Sequence, residues 1–139
     1  MISLTKGEGF GRPLLEFSLT GKPIIASNWS GHTDFLKPNM SVMLGGQLEN
    51  VHQSAANNWL IKESQWFKPN DPEIGKALKE VHKKYKQYLV KAKQQKNFSK
   101  SKFNFDSMKN LIKYELSKTP EFPKQLELKL PKLELPTLQ

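Results

Sequence analysis

A glycine-rich turn, Thr5-Lys6-Gly7-Glu8-Gly9-Phe10-Gly11-Arg12-Pro13-Leu14-Leu15-Glu16, constrains this chain more than any other stretch. A short apolar run, Met1-Ile2-Ser3-Leu4, precedes it and reads as a buried strand. Gly7, Gly9 and Gly11 stand at alternate positions, where they permit positive φ and leave no side chains between the backbone and a ligand. Pro13 suits the first turn of a helix that continues through residues 14–20 until Gly21 stops it. Lys22-Pro23-Ile24-Ile25-Ala26-Ser27 reads as a second strand. Strand, glycine turn, helix and strand predict a βαβ unit, and the N–H groups and positive dipole end at the helix start suit a phosphate.

Two carboxylates bracket that turn, Glu8 in the loop and Glu16 about one turn into the helix. A carboxylate gives a bare phosphate nothing, so its expected business is to accept hydrogen bonds from hydroxyls. Phosphate donors and hydroxyl acceptors in one turn suggest a nucleotide-sugar. The dinucleotide fingerprint is rejected, because it needs Gly-x-Gly-x-x-Gly and an acidic residue about twenty positions on.

The run Gly7-Glu8-Gly9-Phe10-Gly11-Arg12-Pro13-Leu14-Leu15-Glu16, followed by Gly21-Lys22-Pro23-Ile24-Ile25-Ala26-Ser27, resembles the donor-site signature of retaining glycosyltransferases of the group 1 (family 4) type. The resemblance extends through Trp29-Ser30-Gly31-His32-Thr33-Asp34-Phe35-Leu36 and, more weakly, over Trp66-Phe67-Lys68-Pro69-Asn70-Asp71-Pro72 and the helices beyond. It implies part of the C-terminal, Rossmann-like donor domain of the GT-B fold over residues 1–118. It also implies metal-independent transfer from a nucleoside diphosphate sugar, with no cofactor. Glu16 would accept from the ribose hydroxyls. Glu8, the one candidate catalytic residue, would accept from a hydroxyl of the transferred sugar. The backbone of Gly9, Phe10 and Gly11, with Gly7 before them, would line the sugar, and the N–H groups of Arg12 and Leu14 would face the pyrophosphate. Arg12 stands where the family usually carries an aliphatic residue. The family's upstream Arg and Lys and its acceptor domain are not in this sequence, and a separate chain is the candidate to supply that domain. On this reading the chain is the distal half of a donor domain, and activity of the chain alone is doubtful.

The charge is unevenly placed. Residues 76–118 carry thirteen lysines against Glu80, Asp106 and Glu115, so this one stretch accounts for the whole net charge of +9. The expectation is weak, salt-dependent contact with an anionic membrane surface. Nucleic acid is disfavoured, because the stretch has no arginine for bidentate recognition and its aromatics are expected to face a core. A lysine-covered helix is more often simply solvated. The chain has no cysteine, no basic leader and no apolar run near the roughly 20 residues that span a bilayer, so a cytoplasmic location is expected, peripheral to a membrane if any.

Further along, residues 28–31 form a turn, and Thr33 or Ser30 is the candidate cap of a short helix. His32, in that turn, lies near the donor by the resemblance, although a lone histidine there is more often an ordinary polar residue. Ser41-Val42-Met43-Leu44 reads as a third strand. Residues 47–68 show no clear pattern beyond a turn or two of helix at 52–58, with Trp59, Trp66 and Phe67 as packing anchors. A helix is expected over 72–93, capped by Asp71 or Asn70, with Ile74, Ala77, Leu78, Val81, Tyr85, Tyr88, Leu89 and Ala92 on one face. A polar connector at 94–102 follows. Asn104 then caps a last helix whose apolar stripe is Phe105, Met108, Leu111, Ile112 and Leu116. Four prolines interrupt residues 119–139, which read as an extended, disordered tail. The expected class is α/β, a truncated Rossmann-like sheet with C-terminal helices. The competing function is an inactive basic interaction module that binds through its lysine helices and tail.

Overall fold

The chain alternates strand and helix over its first third, and the strands pair as that order predicts. β1 (Ile2–Ser3), α1 (Arg12–Ser18), β2 (Ile25–Ser27) and β3 (Val42–Leu44) follow one another, and the three strands form one parallel sheet in the order β1-β2-β3. Ile2 lies opposite Ile25, and Ile25 opposite Val42. The computed structural model describes residues 1–118, and the expected tail at 119–139 lies outside them.

Neighbouring strand residues point to opposite faces, so the sheet carries two apolar layers. Ile24 and Ala26 pack with Leu14, Phe35 and Leu36 on one side. Ile25 packs with Leu44 and Ala77 on the other, flanked by Val42, Ile74 and Val81. Helices thus cover both faces of a mixed α/β fold. The expected burial of the first strand is not found. Met1, Ile2 and Leu4 each remain about two-fifths exposed, because β1 is an edge strand with no further neighbour among the described residues.

Residues 46–69 fold as a hairpin that the sequence did not announce. β4 (Gly46–Asn50) and β5 (Gln65–Pro69) pair antiparallel, and the expected helix near 52–58 shrinks to one 3₁₀ turn, Gln53–Ala55. Phe67 anchors the hairpin: it is buried, stacks on Trp29 with ring centroids 6.0 Å apart, and its N–H donates to the Lys6 carbonyl. Trp66 lies under the Lys6 ammonium, 3.9 Å from the ring centroid. Trp59 is no anchor at all, being 95 % exposed at the tip of the connecting loop.

The long helix expected at 72–93 is two helices. α2 (Asp71–Lys83) and α3 (Tyr85–Lys102) meet at Lys84, whose φ of −109° and ψ of 30° break the helical path. Asn70 occupies the N-cap of α2, and its side-chain amide donates to the Glu73 carboxylate. Lys84 donates to Glu80 across the break, and this bond, ahead of the Tyr88 hydroxyl, holds the Glu80 carboxyl below its usual range. The expected connector at 94–102 is the second half of α3, and it is the half that docks. Gln95 and Ser99 are fully buried: the Gln95 amide donates to the Phe35 carbonyl (2.7 Å) and to Ser99, its oxygen accepts from the Lys37 N–H (3.0 Å), and Ser18 donates to Ser99 (2.8 Å). α4 (Phe105–Lys118) is capped as expected, with the Asn104 side chain accepting from the Ser107 N–H at 2.8 Å. The aromatics of 76–118 are expected to face a core, and on α4 they do not: Phe105 is 80 % and Tyr114 59 % exposed, and no residue of the helix is buried. None of the described helices is long and apolar enough to cross a membrane.

Candidate functional site

The glycine turn and the 28–31 turn meet at the C-terminal ends of β1 and β2. In open α/β sheets ligands bind outside those strand ends, so this is the position to inspect. The two turns are clamped together through Glu8, whose N–H donates to Ser30 Oγ (2.8 Å) and whose carbonyl accepts from the Gly31 N–H (3.1 Å). Ser30 sits at the N-cap of the 3₁₀ turn Gly31–Asp34, yet its hydroxyl serves the glycine turn instead of that helix. Its φ of 74° and ψ of −160° lie in a region that is essentially reserved for glycine and costs other residues about 1–3 kcal/mol.

The three glycines do different things. Gly11 has φ 80°, caps α1, and lies so near His32 that a Cβ would stand 2.9 Å from the His32 Cβ. Gly9 is the partner of a close approach, because a Cβ on Gly31 would land on the Gly9 carbonyl. Gly7 has open space around it and an ordinary φ, so its side chain is absent for no steric reason visible here. Positive φ is therefore needed at Gly11 alone of the three.

The predicted donor-site residues are brought together in part. The N–H groups of Gly9, Phe10, Gly11 and Arg12 have no protein acceptor among the described residues, which leaves a run of donors along the turn. Leu14 departs from expectation. Its N–H is bonded to the Gly11 carbonyl (2.9 Å) and its side chain is in the core, so it has no donor to turn toward a pyrophosphate. The Glu8 carboxylate is half-buried and has no hydrogen bond or ion pair among the described residues. Glu16 is exposed and held by Arg12 at 2.7 Å, an i,i+4 pair of the kind that contributes about 0.3–0.5 kcal/mol. Phe10 is partly exposed and rests its ring on Phe35 (5.3 Å) and Phe103 (6.2 Å), which ties the turn to the junction of α3 and α4.

His32, in the 3₁₀ turn that follows Ser30, is drawn into the interior. It is fully buried under Gly11, and Nε2 lies 2.6 Å from the Ser27 carbonyl. A carbonyl only accepts, so Nε2 donates to it. His32 Nδ1, together with Thr5 Oγ1 and Ser27 Oγ, is buried without a partner. The two hydroxyls belong to the first turn and the second strand, so the unpaired polar atoms gather where the sheet meets the loops. Among the described residues no three His, Asp or Glu side chains are grouped as metal ligands. Searches against family models, curated proteins and solved structures return no match to this chain.

Proposed function

We propose that residues 1–118 form a nucleotide-sugar-binding portion of a retaining, metal-independent glycosyltransferase, with the Rossmann-like arrangement of a GT-B donor domain. One observation carries the reading: a glycine turn with four unclaimed N–H groups is clamped by a strained Ser30 at the C-terminal ends of parallel strands. Backbone strain persists where surrounding structure enforces it, and such positions cluster at ligand sites. The unclaimed N–H groups suit the diphosphate, with Arg12 contributing its backbone donor and Leu14 none. Glu8 is free to accept from a hydroxyl of the sugar. Glu16 meets the ribose hydroxyls once the exposed Arg12 guanidinium swings aside, a small energetic demand for so weak a pair. Transfer itself calls for an acceptor-binding partner domain.

The two glutamates are expected to separate in binding assays. Glu16→Gln should weaken UDP or GDP by roughly 1–3 kcal/mol, the typical contribution of a hydrogen bond to a charged group. Glu8→Gln should leave the bare diphosphate almost unchanged and weaken only the sugar-bearing donor. Calorimetric titration of each variant with diphosphate and with donor checks this, with the acceptor domain supplied. Wild-type affinities throughout would remove the donor-site reading.

A further inference from the structure

α4 is a 14-residue helix with nothing buried, although helices of this length are marginal in water without a packing partner. Phe105, Met108, Leu111 and Ile112 fall on one face at helical spacing, between 44 % and 80 % exposed. At 100° per residue, Lys109 and Lys113 border that face on one side and Lys118 on the other. Of its two acids, Asp106 lies beyond Lys113 on the polar side, and Glu115 projects into the C-terminal end of the stripe, where Lys118 pairs with it at 3.0 Å. An apolar stripe with lysines along both borders is the pattern of a helix that lies in a lipid interface.

We propose that α4 docks on an anionic lipid bilayer, its apolar stripe entering the headgroup boundary while the lysines at its borders reach the lipid phosphates. Charge decides between occupants. α3, next to α4 in the chain, carries six lysines and no acid, and residues 76–118 carry thirteen lysines against three acids. A second copy would bring the same positive field against this one, whereas an anionic surface complements it. A nucleic acid would meet the lysines but leave the apolar stripe wet. The stripe also changes the earlier expectation of weak contact, because apolar burial adds a contribution that salt does not screen.

The test is cosedimentation of the full chain with vesicles of phosphatidylcholine alone and of phosphatidylcholine mixed with phosphatidylglycerol. Binding to the mixed vesicles should be at least about tenfold stronger, since several lysines near an anionic surface add their attractions. Part of it should survive high salt. The double variant Leu111→Ser/Ile112→Ser keeps every charge and should lose about tenfold or more in affinity, given the apolar area removed. Its thermal unfolding should match the parent, because α4 contributes nothing to the core. Equal binding to both vesicles, complete loss in salt, or a variant that binds like the parent would overturn the proposal. So would RNA binding as tight as vesicle binding, or a dimer in solution that the double variant abolishes. None of these outcomes bears on the donor site, which the proposal does not use.

Discussion

Gly31→Ala should be among the most damaging single-methyl changes in this protein. The new Cβ would fall on the Gly9 carbonyl and 2.8 Å from the Phe10 Cα, and both obstacles are backbone. The two turns must then part, breaking the Glu8–Ser30 and Gly31–Glu8 hydrogen bonds. Overpacking of this sort typically costs about 1–3 kcal/mol, and the lost bonds place this case at the upper end. A fall of roughly 10 °C in Tm is expected for a domain of this size. Donor affinity should fall with it, because the run of free N–H groups loses its shape. Gly7→Ala is the matched control: it has open space and should change stability by less than about 0.5 kcal/mol. If thermal melts show the two alanine variants to be equally stable, the clamp between the turns is not what holds the site.

Gln95→Leu should do comparable harm by a different route. The leucine fits the space in size, but the Phe35 carbonyl and the Lys37 N–H each lose a buried partner, and Ser99 loses a donor. Leaving a buried polar group unpaired costs about 1–3 kcal/mol, so roughly 3 kcal/mol or more is expected in total. Urea unfolding should show a lower midpoint at an unchanged slope, since the surface exposed on unfolding is nearly the same. Gln95→Glu retains the acceptor for Lys37 but not the amide donor for Phe35, and it should also be destabilised. A Gln95→Leu variant as stable as the parent would mean that α3 is held by its apolar contacts alone.

The parts of this fold that could be read in advance are those whose signals are local. Gly21, with φ 69°, closes the turn that follows α1 (which ends at Ser18, earlier than expected), Asn104 caps α4, and the glycine turn joins two parallel strands, each as its own residues dictate. Gln95 and Ser99 look like part of a connector, because polar residues among lysines give no hint of burial. Their partners, Phe35, Lys37 and Ser18, lie some 58 to 81 positions away. The hairpin was missed because β4 has one apolar residue in Gly-Gln-Leu-Glu-Asn and a long loop separates it from β5. At the site, the glycine spacing identified the turn but not the division of labour within it. Only the neighbouring backbone shows that Gly11 answers to His32 and Gly31 to Gly9. The stripe of α4 was legible as a stripe. That it faces outward is a fact of packing, which periodicity does not report.

Among the described residues the outer edge of β1 has no partner strand, and this has a colloidal consequence. A row of unpaired strand groups beside half-exposed Met1, Ile2 and Leu4 is a template on which another extended chain can crystallise its own backbone. What keeps two such molecules apart is long-range repulsion between bodies that each carry +9. That repulsion reaches about 30 Å at 0.01 M ionic strength and only about 3 Å at 1 M. Added salt is therefore expected to shorten the distance at which two such edges are held apart, and light scattering of a concentrated solution across ionic strengths reads the effect.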